Sequence, residues 1–191
     1  AQQLLKSAQA DENQSAFASN ILDQVDVATN RLGDFIAYAK PAELDFAYTS
    51  LAVIFKRIDS LMQDEVTNAG INLECNTTDI EINCDQQKLL QVLINLVINA
   101  KQNCAKACII ELRSGVRNNN AFIQVKDNGA GISAELLPDI FSPYTSTNEG
   151  GSGLGLAIVK RIVQAHGWSI SVESEPGVMT TFTIEGIQYR M

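Results

Sequence analysis

Two glycine-rich turns, Asp127-Asn128-Gly129-Ala130-Gly131 and, roughly twenty residues later, Gly151-Ser152-Gly153-Leu154-Gly155-Leu156, constrain this chain more than any other feature. Backbone made of glycine can approach a flat ligand closely, and a carboxylate beside it, here Asp127, can accept a hydrogen bond from an exocyclic amine such as that of adenine. The second turn opens a helix, because Leu154 to Ala165 run on without a helix breaker. The N–H groups of Gly151 to Gly155 then stand at a helix N-terminus, where free donors and the positive end of the dipole favour phosphate. Each turn alone reads better as an ordinary Gly-rich turn. In this order, with a third element upstream, they read as two halves of a nucleotide pocket.

That third element is a helix expected from Asp85 to about Asn103. Asp85 follows the strand-like Ile80-Glu81-Ile82-Asn83 and suits an N-cap, and Leu89, Leu93, Leu96, Val97 and Ala100 recur at helical spacing as a core face. On another face Lys88, Gln91, Asn95, Asn99 and Gln102 step by fours and a final three, which stacks amide oxygens and one ammonium along one stripe. Such oxygens suit Mg²⁺, which takes few protein ligands and shares the rest with water and phosphate. A solvated polar face is the plainer reading, but such faces are usually richer in Glu and Lys than in Asn, a poor helix former.

These residues carry a resemblance. The stretch through Asn95-Leu96-Val97-Ile98-Asn99-Ala100 resembles the N box of sensor histidine kinases, Asp127-x-Gly129-x-Gly131 their first glycine box, Ile140-Phe141-Ser142-Pro143-Tyr144 their F box, and Gly151 to Leu156 their second glycine box. Ala165-His166-Gly167-Trp168, Ser174-Glu175-Pro176-Gly177 and Thr180-Thr181-Phe182-Thr183 are similar to the closing segments of the same family. The resemblance implies a catalytic ATP-binding domain over residues 42–191 of the α/β (α+β) class, a two-layer sandwich of a mostly antiparallel sheet and helices. It also implies ATP and Mg²⁺ as cofactors, with Asn95, Asn99, Gln102, Asp127, Gly129, Gly131, Phe141, Gly151, Ser152, Gly153, Leu154 and Gly155 as the nucleotide-binding set. Within that set Asn99 would hold the metal with Asn95 assisting, Asp127 would read the adenine amine, and Phe141 would anchor the lid. Two departures remove positive charge near the γ-phosphate: relatives carry lysine where this chain has Asn148 or Gln102. Lys88 or Lys101 would have to compensate.

Asn30-Arg31-Leu32 through Phe35 and Ala39-Lys40-Pro41 resemble the second helix of the histidine kinase dimerisation domain, which implies that residues 1–41 are part of a helical dimerisation and phosphotransfer domain. Ile21, Val25, Ala28, Leu32, Phe35 and Ala39 alternate spacings of four and three, the seam of a helix in a coiled coil or four-helix bundle, and Pro41 stops it. A seam of this length also serves inside one bundle, but a lone hairpin has no partner for its stripe, so a homodimer is expected. The family phosphorylates a histidine in the first helix of that domain, and the only histidine here is His166. The expectation is that the chain begins after its acceptor, with a degenerate kinase as the alternative. A histidine in the last turn of a helix is stabilised by the dipole, so His166 is given a structural role.

Composition narrows the partners. A formal charge of −8 leaves no basic surface for nucleic acid, and no apolar run approaches the ~18 residues of a membrane span. A cytoplasmic location follows, with any membrane helices in parts of the sensor outside this sequence, and a response-regulator receiver domain as the partner that the resemblance implies. Cys75, Cys84, Cys104 and Cys108 lack a zinc-finger spacing and are expected to be reduced thiols, although Cys104 and Cys108 could form a metal or redox pair. Expected elements are a helix over 16–39, a strand at 44–48, a helix over 50–68, strands at 71–75 and 80–83, and strands at 108–114 and 121–126. A short helix over 133–139, a lid over 141–152, a helix over 153–166 and strands at 168–174 and 180–186 complete the order. Three functions compete: a kinase passing the γ-phosphoryl group to a histidine, an ATP-hydrolysing switch of the gyrase and heat-shock-chaperone kind, and a non-catalytic nucleotide-binding scaffold. The switches carry a glutamate base four residues before the metal-binding asparagine; this chain has Asn95, which cannot take a proton from water.

Overall fold

The computed structural model of this chain describes residues 43–105, 107–145 and 153–190, together with helical positions 17, 21, 22, 25, 28, 29, 32, 33, 35 and 36. The chain divides into two units, Ala1–Lys40 and Pro41–Met191. In the first, Ile21, Val25, Leu32 and Phe35 of the expected seam lie on helix and are exposed, and Ala39 falls outside the described residues, as does Pro41 at the start of the second.

The second unit is two layers. Its main sheet has the order β2-β4-β5-β7-β6, built from Asn72–Asn76 (β2), Ile109–Arg117 (β4), Asn120–Asp127 (β5), Ser169–Glu175 (β6) and Met179–Ile187 (β7). Only β2 and β4 run parallel; the other neighbours are antiparallel. The β4–β5 hairpin turns through Asn118 and Asn119, both at positive φ (51° and 62°), the primed turn that Asn tolerates and that matches strand twist. A second sheet of Ala47–Ser50 (β1), Glu81–Cys84 (β3) and Tyr189–Arg190 (β8) was not anticipated; it is pinned where the Arg190 guanidinium lies 3.7 Å over the Tyr48 ring and bonds Glu81 at 2.6 Å. The first strand starts later than expected because the backbone of Asp45 is occupied by the Asp85 carboxylate and Phe46 packs edge-on against His166.

Three helices cover one face of the main sheet. Leu51–Asn68 (α1) is capped by the Ser50 hydroxyl and buries Leu51, Ile54, Phe55, Ile58, Met62 and Val66. Gln86–Asn103 (α2) is capped by Asp85, which accepts from Lys88 N–H at 3.0 Å, and buries the expected Leu89, Leu93, Leu96, Val97 and Ala100. Gly155–Ala165 (α3) ends at His166, where Gly167 (φ 77°) lets its own N–H reach Gln164 O and Trp168 N–H reach Val163 O, a Schellman close. The apolar faces meet Ile110, Leu112, Ile123, Val125, Phe182 and Ile184 of the sheet, all essentially inaccessible. No helix among the described residues is long and apolar enough to cross a membrane.

Two expectations are corrected. The helix over 133–139 is only a 3₁₀ turn at Leu137–Asp139: Pro138 removes an N–H and the segment is too short to repeat an α-helical bond. Cys104 and Cys108 are joined in a disulfide, not left as reduced thiols. Their spacing of four is not helical, since α2 stops at Asn103 and the chain reverses through Ala107 at φ 66°, bringing the two Cα atoms to 5.6 Å. Cys75 and Cys84 are free; burial, reinforced by Asp59, pushes the Cys75 thiol to about 11, and burial, reinforced by Asp85, pushes Cys84 to about 12.

Candidate functional site

The site begins where β5 ends. Asp127 pairs with Ile110 on one side and Thr180 on the other, so its side chain emerges inside the sheet edge and is 1% exposed. Its Oδ1 accepts the Gly129 N–H at 3.0 Å, closing an Asx turn. Burial raises the Asp127 carboxyl above its ordinary range, opposed by that Gly129 N–H. Asn128 ties the turn to β4, its Oδ1 accepting Ile109 N–H at 2.7 Å.

The glycines are demanded by close packing. A Cβ on Gly129 would stand 2.5 Å from Asn103 O, and the next residue, Ala130, donates its N–H to that oxygen at 2.9 Å. Gly131 adopts φ 69°, and a Cβ there would stand 2.4 Å from Glu175 O in the β6–β7 turn. The first glycine box is thus wedged between the last turn of α2 and the far hairpin, and Ser174 Oγ, accepting from Ile132 N–H at 2.8 Å, completes the wedge.

Along α2 the amides are ordered toward the start of α3. Asn95 Nδ2 donates to Gly155 O at 3.4 Å. One turn on, the amide nitrogen of Asn99 is buried with no hydrogen-bond partner, while Asn99 O accepts from Asn103 Nδ2 at 2.9 Å. Buried amides are ordinarily satisfied, so this group fits a ligand, and turning the amide would present its oxygen to a hard cation instead. At the opening of α3, Gly153 (φ 65°) accepts from Tyr144 N–H at 2.9 Å, and a Cβ on it would stand 2.6 Å from Tyr144 C. Gly155 is different: a Cβ there would meet nothing within 4 Å. Phe141 stands edge-on to Phe182, ring centroids 6.1 Å apart, with the Lys160 ammonium 5.7 Å from its own centroid, which fixes one end of the expected lid.

The structure therefore gathers Asn95, Asn99, Asp127, Gly129, Gly131, Phe141, Gly153, Leu154 and Gly155 around the ends of β5, α2 and α3. Gly151, Ser152 and Asn148 lie outside the described residues. Gln102 is exposed in the last turn of α2, and it is Asn103, continuing the spacing of four from Asn95 and Asn99, that touches the glycine turn. That spacing was the signal that would have found it. Lys101 pairs with Glu65 of α1 at 2.7 Å. A second basic group was missed: Arg57 of α1 lines, with Leu61, Gln87, Leu90, Gln91, Ile94 and Asn95, a groove of about 310 Å³ between α1 and α2. No sequence motif covers α1.

His166 is structural, though for another reason than dipole stabilisation of a cation. Its Nδ1 faces Ile162 O at 2.8 Å, and a carbonyl only accepts, so the proton sits on Nδ1 and Nε2 accepts from Asp85 N–H at 3.1 Å. Burial lowers its pKa, against the Ile162 carbonyl and the Asp85 carboxylate. The ring also stacks on Trp168 at 4.4 Å.

Residues 84–188 match the family described as histidine kinase-, DNA gyrase B-, and HSP90-like ATPase. Sensor histidine kinase ZraS of Escherichia coli (strain K12) is 34% identical over 155 residues, 80% of this chain and 33% of that protein. Histidine kinase ThkA, solved in complex with response regulator protein TrrA, superposes with a TM-score of 0.74 at 26% identity, over 88% of this chain and 49% of that one. Full-length ShkA in complex with AMPPNP shares the fold, with a TM-score of 0.81 at 24% identity over 91% of this chain and 38% of that one. The chain spans about a third of the length of the curated relatives it matches. A family match over more than half of the chain, with a relative 34% identical over 80% of it, shows that the chain belongs to the histidine kinase-, DNA gyrase B- and HSP90-like ATPases, as a catalytic domain of the sensor histidine kinase type.

Proposed function

We propose that this chain binds ATP with Mg²⁺ in the cleft between α2, the end of β5 and the start of α3, and passes the γ-phosphoryl group to a histidine outside this sequence. A receiver-domain aspartate of a response regulator then takes the group. The observation that carries the reading is Asn99: a buried amide with a partnerless nitrogen, one turn from the Asn95–Gly155 contact that joins α2 to the second glycine box. Asn99, with Asn95, would hold Mg²⁺, which when bound neutralises charge on the phosphate oxygens. Asp127 accepts from the adenine amine, Gly129 and Gly131 shape the base pocket by letting the turn pack closely on α2 and the β6–β7 hairpin, and backbone N–H groups at the start of α3, at Gly153 and Gly155, bind phosphate. Gly151, Ser152 and Gln102 belong to the same set by resemblance.

Two features favour transfer over hydrolysis. The neutral Asn95 amide cannot act as a base toward water, whereas an imidazole acceptor brings its own nucleophilic nitrogen. His166 is not that acceptor, because both ring nitrogens are engaged and it lies eleven residues beyond Gly155, ~16 Å along the helix. The exposed seam of Ile21, Val25, Leu32 and Phe35 supports a homodimer through the N-terminal helices, and the ThkA complex supports a receiver domain as the partner. The reaction belongs in the cytoplasm, where ATP is.

The test is label transfer. The chain alone, given labelled ATP, should stay unlabelled; with a dimerisation-domain fragment that bears an acceptor histidine it should pass acid-labile label to that fragment. Asp127→Ala should abolish the transfer and weaken ATP binding by about 10- to 150-fold, the worth of a hydrogen bond to a charged group. Labelling of the isolated chain that His166→Gln removes, or calorimetric ATP affinity indifferent to Asp127→Ala, would overturn the reading.

A further inference from the structure

The disulfide stands beside the nucleotide cleft, and both of its ends hold the first glycine box. Cys104 directly follows Asn103, whose carbonyl accepts Ala130 N–H at 2.9 Å and lies where a Cβ on Gly129 would be. Cys108 directly precedes Ile109, whose N–H donates to Asn128 Oδ1 at 2.7 Å and whose carbonyl accepts Asn128 N–H at 3.3 Å. The bond therefore clamps together the two backbone anchors on which Asp127-Asn128-Gly129-Ala130 rides. Cys108 O in turn accepts from Asn72 N–H at 2.9 Å and Ala107 N–H donates to Gly70 O at 3.0 Å, so the clamp is fastened to β2 and its entry as well.

Its placement does not suit a bond selected for stability. A bridge between residues four apart closes a very short loop and constrains the unfolded chain least, and persistent disulfides are uncommon where ATP-dependent kinases work, those that occur being mostly transient and sensory. The two thiols differ in access: Cys104 is partly exposed and Cys108 is buried. Cys75 and Cys84, with thiols pushed up to about 11 and about 12 by burial, are poor competitors for an oxidant.

We propose that Cys104 and Cys108 form a reversible oxidation site that sets the affinity of the adjacent adenine pocket, taking a low-molecular-weight disulfide as oxidant. The Cys104 thiolate attacks one sulfur of the small disulfide, whose S–S bond breaks and releases one small thiol. The Cys108 thiol then gives its proton to solvent and its sulfur attacks the Cys104 sulfur, forming the protein bond and releasing the second small thiol. Two protein thiols are oxidised and one small disulfide is reduced to two thiols. Oxidised, the Asn103 and Ile109 anchors are held at fixed separation and the pocket is preorganised; reduced, Cys104 and Cys108 are released and the glycine box loosens. This inference rests on the nucleotide reading above for its ligand, though not for its structural coupling.

The experiment measures AMPPNP affinity with Mg²⁺ for the 191-residue chain, oxidised and after reduction by dithiothreitol. Oxidised protein should bind about 5- to 10-fold more tightly, the low end of ordinary coupling between sites, and saturating nucleotide should shift the glutathione ratio at half-reduction in favour of the disulfide by the same factor. The double variant Cys104→Ser, Cys108→Ser should bind like reduced protein under both conditions. Equal affinities for the two wild-type forms, or a redox effect that survives in the double variant, would overturn the proposal. If neither form binds nucleotide, it is the proposed function that fails; hydrogen exchange at Ala130 and Ile109 in the nucleotide-free protein then decides the clamp. Faster exchange on reduction supports it, and unchanged exchange refutes it.

Discussion

Asn99 and Gly155 carry opposite kinds of information about the cleft. Asn99 tolerates a buried nitrogen without a partner, a cost the fold alone does not require. Asn99→Ala is therefore expected to weaken ATP binding strongly in Mg²⁺ and little in EDTA, because only the metal-bridged component depends on the amide; calorimetry in the two buffers checks this, and equal losses would mean a direct contact or a folding defect. Gly155 is a glycine that the folded chain does not need, since an added Cβ has room and the residue is helical. Gly155→Ala should raise stability to urea by about 0.5 kcal/mol, through the less flexible unfolded chain, while lowering ATP affinity. A variant that binds ATP as well as the parent would show that phosphate does not approach that position. Gly129, Gly131 and Gly153 are the reverse case: each is placed where a Cβ would collide with backbone, which explains the glycines, but their spacing pointed to a nucleotide only in combination with the amide stripe upstream.

At the scale of elements, α2 was legible because its core stripe and amide stripe share a helical period behind an Asp85 cap. What was not legible lacked a period or depended on distant chain. The two residues of β8 are too few to alternate, and the 3₁₀ turn before Ile140 is a helix-like stretch cut short by Pro138. The bridge between Cys104 and Cys108 requires knowing that the helix has already ended. His166 belongs here also, since it joins the end of α3 to the start of α2 through Asp85 N–H. Protonation of Nε2 abolishes that acceptor. Because burial lowers the His166 pKa in the folded state, the stability it contributes is fully present above the ordinary histidine value of about 6.5 and is lost as pH falls below it. Urea midpoints should be flat from about pH 8 to 7 and decline below about 6.5, and His166→Gln should flatten that decline. Asp85 acts in a separate window. Burial raises its pKa, but the N–H groups of Lys88, Asp45 and Gln87 and the nearby His166 outweigh this and hold it below its ordinary value, so its contribution disappears only below about pH 4.

For the molecule as a whole, the cleft is assembled from residues 85–165, while the partners that brace it arrive from both sides of that stretch: the β6–β7 turn against Gly131 and the parallel strand β2 beside β4. The chain divides at Pro41, and we propose that the unit beyond it is the catalytic domain, while the apolar seam of the first unit is to be tested by its concentration-dependent association. The pairing of β3 with β8, Glu81 opposite Arg190, spans 109 residues, against the tight hairpins that join β4 to β5 and β6 to β7. Closing so long a loop costs chain entropy before any contact repays it, so the two sheets should not form together. In pulse-labelled refolding, amides of β4, β5, β6 and β7 should acquire protection first and those of Glu81 and Ile82 last. The order in which the chain folds thus separates the nucleotide cleft, complete early, from the small sheet that ties the two termini of the domain together afterwards.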